Sequence, residues 1–257
     1  MVRKRTSLWK GFWQLADPKI WTASLVPFAL GQSIACSNGY FLRWDLLIIA
    51  VCVVILIEIA KNGLNEYFDY KSGADLFVQP SDRTPFSGGK KVIVDRLLTL
   101  REVRSISILS LAGAGLLSLP ILRYQPQIAL FGLAGCFLAI GYSVPPMRLS
   151  YRGLGEISVA LAFGPVVVNG SYFLQTAHFG LEPLLLSIPL GFLIANVLWI
   201  NEIPDVEADR KAGKWNLVAR LGRHRALPGY VLLFNAAAAS IIVASLMLDT
   251  PFHLLAL

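Results

Sequence analysis

Charge is scarce in this chain. Only 15% of its 257 residues are Asp, Glu, Lys or Arg, 55% are hydrophobic, and the mean hydropathy is +0.60. Soluble domains carry about 25% charged residues, so the composition excludes an ordinary soluble domain and implies a polytopic membrane protein. Cysteine is scarce as well. Cys36, Cys52 and Cys136 lie in or near apolar runs without ligand-like spacing, which leaves them as packing residues. Of the three histidines, His178 and His253 fall at the ends of apolar runs and His224 sits in the basic stretch "GRHRA". None is placed as a catalytic base.

Long apolar runs are what the sequence has instead. A bilayer core demands about 20 residues of helix, and seven such runs read at 20–37, 46–66, 104–122, 127–145, 155–176, 183–203 and 228–247, with the start of an eighth in "DTPFHLLAL". The expected fold is therefore all-α, a transmembrane helical bundle forming one membrane-embedded domain over 1–257. The net charge of +7 is a matter of topology rather than of nucleic acid. Of the 23 Lys and Arg, Arg43 and Arg123 fall in the alternate set of loops, Lys61 lies within a span, and all others lie in the N-terminal tail or after spans two, four and six. That asymmetry assigns those loops to the cytoplasm. The start, "MVRKRTSLWKGFWQLADPKIW", is basic and then aromatic, as expected of a segment lying at the interface, and no small-residue cleavage site follows it.

Two runs end in acid. On a helix, Glu58, Asn62, Asn65 and Asp69 fall within an arc of roughly 60°, and Asn201, Glu202, Asp205 and Asp209 within roughly 100°. Glu58 has a simpler partner in Lys61, and a polar stripe can also pack against other polar helices. Both stripes, however, lie at the ends of even-numbered spans, hence at one depth on one side. Carboxylates facing each other there repel unless a cation lies between them. Oxygen donors without His or Cys nearby favour Mg²⁺ over zinc, and Mg²⁺ fills its remaining positions with phosphate oxygens, so a diphosphate substrate is implied. Among the basic residues, Arg83 in "SDRTPFSGG" and Arg148 in "YSVPPMRLSYR" are candidates for that anion. The turn "SGGKK" either cradles phosphate or only closes a loop. A cation or proton-coupled transporter is the competing class, though the opposite halves of spans two and six are apolar.

These residues resemble the UbiA superfamily of intramembrane prenyltransferases, which pairs N-D-x-x-D-x-x-x-D after the second helix with D-x-x-x-D after the sixth. The second motif stands as Asp205 and Asp209 in "NEIPDVEADRKAGKWNLVARLG"; the first reads Asn65, Glu66, Asp69 and Asp75, its last Asp displaced by two residues with Gly73 intervening. That spacing, with "SLVPFALG", "DRTPFSGG" and "YSVPPMRLSYRGLGE", is similar to the branch that prenylates 1,4-dihydroxy-2-naphthoate on the way to menaquinone. Where the family commonly has Thr, this chain has Asn216. The family has about nine helices, so the chain is expected to lack its C-terminal ones.

The resemblance implies Mg²⁺ held by Asp69, Asp75, Asp205 and Asp209 and catalysis by Asp69, Asp205 and Tyr142. Asn65, Arg83, Arg148, Asn169 and Asn201 would contact substrate. For Tyr142 an interfacial tyrosine, and for Asn169 a bond to a neighbouring helix, are equally simple readings. The implied partners are a polyprenyl diphosphate, a small aromatic acceptor and the bilayer. The implied location is the cell membrane of a prokaryote, with the site facing the cytoplasm.

Overall fold

The computed structural model describes residues 5–84 and 88–249, and among them every regular element is helical. The start of an eighth span lies outside the described residues. Helix α1 (Arg5–Ala16) leads through a turn at Pro18–Trp21 into α2 (Thr22–Ser37). Asn62 Nδ2 fastens α1 by donating to the Ala16 carbonyl at 3.2 Å. Helix α3 (Trp44–Ser72) has 29 residues, or about 43 Å at 1.5 Å per residue, which is longer than a bilayer core is thick. Its acidic end therefore stands beyond the most apolar depth. Gly73 stops it in the left-handed conformation at φ 88°, which glycine adopts without a Cβ penalty. The chain then turns back into α4 (Ala74–Phe77).

The rest of the bundle is α5 (Leu100–Tyr124), α6 (Ala129–Gly141), α7 (Gly155–Leu161), a π turn over Ala162–Val166, α8 (Val167–Thr176) and α9 (Leu181–Glu202). Short helices α10 (Val206–Lys211) and α11 (Leu217–Leu221) precede α12 (Arg223–Met247). Thr99 begins α5 with a reciprocal capping box to Glu102, satisfying donors that a helix start leaves free. Among the described residues, six segments are long and apolar enough to cross a membrane: Leu8–Ser37, Trp44–Ser72, Leu100–Tyr124, Gly155–Thr176, Leu181–Glu202 and Arg223–Met247. The run expected over 127–145 is shorter, Pro126–Gly141. Its helix ends before "YSVPP", where proline restricts the preceding backbone.

Packing places the site. Helix α3 lies along α5, α2 along α8, α9 against both α7 and α12, and α4 against α10. The α4–α10 contact brings the two acidic segments together.

Candidate active site

A cavity of about 650 Å³ opens between the helices, within the range of small-molecule sites. Leu111, Leu122, Phe131, Leu133, Val166 and Leu174 are part of its apolar wall, while Asn65, Asp69, Asp75, Asn201, Asp205, Asp209 and Lys214 form its polar end. All four aspartates singled out by the motif spacing thus face one space.

Asp69 is the hub. Its Oδ1 accepts from Tyr151 Oη at 2.7 Å, and its Oδ2 accepts from Asn65 Nδ2 at 3.1 Å and from Lys214 Nζ at 2.9 Å. Asn65 Nδ2 also reaches Ser143 Oγ at 3.1 Å. Lys214 lies 3.6 Å from Asp209 Oδ1. Burial disfavours its charge, but Asp209 and Asp69 outweigh that and hold its pKa well above the usual lysine range. Asp209 Oδ2 accepts from Asn216 Nδ2 at 2.7 Å, and Asn216 Oδ1 caps α11 by accepting from Ala219 N at 2.6 Å. Asparagine at this position therefore ties the second acidic segment to the following helix.

The aspartates that gain least from partners are Asp75 and Asp205. Asp205 Oδ2 accepts from Gly88 N at 2.8 Å, while Asp205 Oδ1 and Asp75 Oδ2 are buried without a donor among the described residues. Burial raises the pKa of both, strongly for Asp75, where the charges of Asp69 and Glu66 add to it. Burial also raises Asp209 to about 6, against the opposing effect of Lys214. The Gly88–Gly89 turn, a candidate phosphate cradle in the sequence, is pressed onto these acids. Both glycines have positive φ, and a Cβ on Gly89 would strike the Asp75 carboxylate. Glu66 secures the turn by accepting from Lys90 N at 2.7 Å, Lys91 N at 3.2 Å and Ile93 N at 3.2 Å.

The remaining candidates separate. Tyr142 lines the cavity and interacts electrostatically with Glu202, Lys214, Glu156 and Asp69. Arg148 is one step removed, its guanidinium carbon 3.6 Å from the Tyr151 ring centre. Arg83 pairs with Asp95 at 3.4 Å, and Asn169 Nδ2 donates to the Pro165 carbonyl of its own span at 2.8 Å; neither is among the cavity-lining residues. Glu58 takes the simpler reading, accepting from Lys61 Nζ at 2.7 Å and from Ser24 Oγ at 2.5 Å. Spacing arguments miss Lys214 and Tyr151, because one resembles a topology charge and the other a loop aromatic.

The donor set suits a hard cation. Among the described residues no three His, Cys, Asp or Glu side chains form a ready-made chelate. Mg²⁺ needs only one or two carboxylates and completes its shell with water and phosphate. The unpartnered oxygens of Asp75 and Asp205 are free to supply them.

The family model described as the UbiA prenyltransferase family matches residues 24–257. This chain belongs to that family. Among related sequences, the 1,4-dihydroxy-2-naphthoate octaprenyltransferase of Bacillus subtilis is 29% identical over 248 residues, spanning 95% of this chain and 76% of the relative. The enzyme of the same name from Mycobacterium tuberculosis is 31% identical over 241 residues, spanning 92% and 78%. The fold matches that of a UbiA homolog from Archaeoglobus fulgidus bound to GPP and Mg²⁺, with TM-score 0.71 and 19% identity over 92% of this chain and 78% of that one. The protein is thus an integral membrane UbiA prenyltransferase, and the cavity described above is its candidate active site.

Proposed function

We propose that this UbiA prenyltransferase carries out Mg²⁺-dependent transfer of a polyprenyl group from polyprenyl diphosphate to 1,4-dihydroxy-2-naphthoate, with its site open to the cytoplasm. The observation that carries the reading is one cavity with four aspartates at one end and a mostly apolar remainder. This matches a donor with a charged head and a hydrocarbon tail. The names of the two bacterial relatives support the acceptor, and the ligands of the archaeal homolog support the donor class and the ion. The basic loops after spans two, four and six support the cytoplasmic side.

Asp69, Asp75, Asp205 and Asp209 would hold Mg²⁺, which when bound supplies positive charge to the departing diphosphate oxygens. Tyr151, Asn65 and Asn216 hold the Asp69 and Asp209 carboxylates in place before substrate arrives. Lys214 places a fixed ammonium at the same end, where it can meet a phosphate oxygen. The apolar wall keeps water from the allylic carbon as its C–O bond breaks, diphosphate departs and the C–C bond to the ring forms, the attacked ring carbon releasing its proton to a carboxylate or water, or its carboxylate as CO2. Tyr142 and Asn201 line the cavity and would face the reacting end of the substrate, and Arg148 would contribute from behind the Tyr151 ring.

The test supplies the reconstituted protein with polyprenyl diphosphate and a panel of aromatic acceptors, with and without Mg²⁺. Prenylated dihydroxynaphthoate formed only with Mg²⁺ is the expected product. Transfer to another acceptor alone would overturn the acceptor assignment, and transfer at full rate in chelator would overturn the metal requirement.

A further inference from the structure

Beyond the four aspartates, a second pair of carboxyl groups is buried beside the cavity. Glu156 comes from the first turn of α7 and Glu202 is the last residue of α9; they are 3% and 5% exposed. Glu156 Oε1 accepts from Leu217 N at 2.7 Å. Its Oε2 and both oxygens of Glu202 have no donor from the described residues. These three buried oxygens want donors, an arrangement that costs stability unless a ligand completes it.

Glu202 lines the main cavity together with Ile194, Leu198 and Asn201 of its own helix and with Tyr142. The reactants of the proposed function can be sorted by what they offer it. A diphosphate has no donors to offer under these conditions. A prenyl tail carries no polar hydrogen. An aromatic acceptor with ring hydroxyls carries the missing donors. Lys214 donates to Asp69 and lies beside Asp209, and gives no hydrogen bond to Glu202.

We propose that Glu202, backed by Glu156, is the recognition site for a ring hydroxyl of the aromatic acceptor. The hydroxyl donates to the Glu202 carboxyl, which fixes the ring's orientation and enriches its electron density for attack on the prenyl carbon. This rests on the prenyl-transfer reading and adds to it the residue that selects hydroxylated rings. Glu156 acts through Glu202 and is a positioning residue.

The test compares a dihydroxynaphthalene acceptor with its mono- and dimethyl ethers, measuring kcat and KM for each with wild-type protein, Glu202→Gln and Glu202→Leu in nanodiscs. Mg²⁺-dependent binding of a non-transferable prenyl diphosphate analogue reports folding and donor-site integrity. Wild-type protein should prefer the free hydroxyl by roughly tenfold to a hundredfold in kcat/KM, the worth of a hydrogen bond to a charged group. Glu202→Gln should retain only part of that preference and Glu202→Leu almost none, chiefly through KM, with the analogue still bound. An undiminished preference in either variant that binds the analogue overturns the proposal. Loss of analogue binding in both overturns it too, because that would place Glu202 in the donor site. Wild-type protein that transfers to no hydroxylated ring would instead overturn the proposed function itself.

Discussion

A lysine ammonium placed between Asp69 and Asp209 decides how the site behaves before any ion arrives. Removing one partner of a buried ion pair costs about 3–5 kcal/mol, so Lys214→Met should melt several degrees below wild type in Mg²⁺-free buffer. Added Mg²⁺ should raise its melting temperature more than that of wild type, since the ion would restore the lost positive charge. Equal melting temperatures without Mg²⁺ would contradict the pairing seen at 2.9 Å. Asp209 adds a pH dependence. Its pKa is raised to about 6, so above that pH the carboxylate is ionised and ready for a cation, and below it a proton must be displaced first. Mg²⁺ affinity by calorimetry should be level above pH 7 and fall as pH drops through about 6, and Asp209→Asn should flatten the profile. The acids were legible in the sequence because Asp at helical spacing next to an apolar run is rare. Lys214 was not, because its stretch holds Lys211 and Arg210 as well, and only the fold determines which cation turns inward.

Where elements cross, small residues set the separation. A Cβ on Gly164 in the π turn would lie 2.7 Å from the Ser187 carbonyl of α9, and one on Gly191 of α9 would lie 2.6 Å from the Ala160 carbonyl of α7. This close approach sets the crossing of α7 and α9, the helices that carry Glu156 and Glu202. Gly191→Val should destabilise the bundle by roughly 1–3 kcal/mol through overpacking, lowering the midpoint of thermal unfolding in detergent; an unchanged midpoint would mean that the crossing is looser than the structure shows. Helix positions were readable from hydropathy because each run is long. The short α6 and the π turn were less so. Proline announces an interruption, but neighbouring helices decide whether the chain stops, as before Pro145, or widens and continues, as at Pro165. Gly73 is an intermediate case. Its presence in the motif was visible, and its positive φ explains why an Asp two residues later than the family spacing still turns into the cavity.

Across the whole molecule, the segments after spans two, four and six converge. Asp69 meets Tyr151 and Lys214, and Arg220 Nη2 donates to the Arg152 carbonyl at 3.0 Å. The outward faces remain apolar: Leu109, Leu232 and Leu246 are 70–73% exposed, as suits contact with lipid rather than water. That same chemistry made the cavity wall unreadable in advance, since a leucine facing lipid and one facing a prenyl chain obey one hydropathy rule. The central claim is that acidic side chains from two helix ends act together on one diphosphate. The most direct test is the initial rate of prenyl transfer by nanodisc-reconstituted Asp69→Asn and Asp205→Asn at saturating Mg²⁺, with the reconstituted amount of each variant measured in parallel. The account predicts a loss of at least about a hundredfold in each, with insertion into the bilayer intact; wild-type rates in both would contradict it.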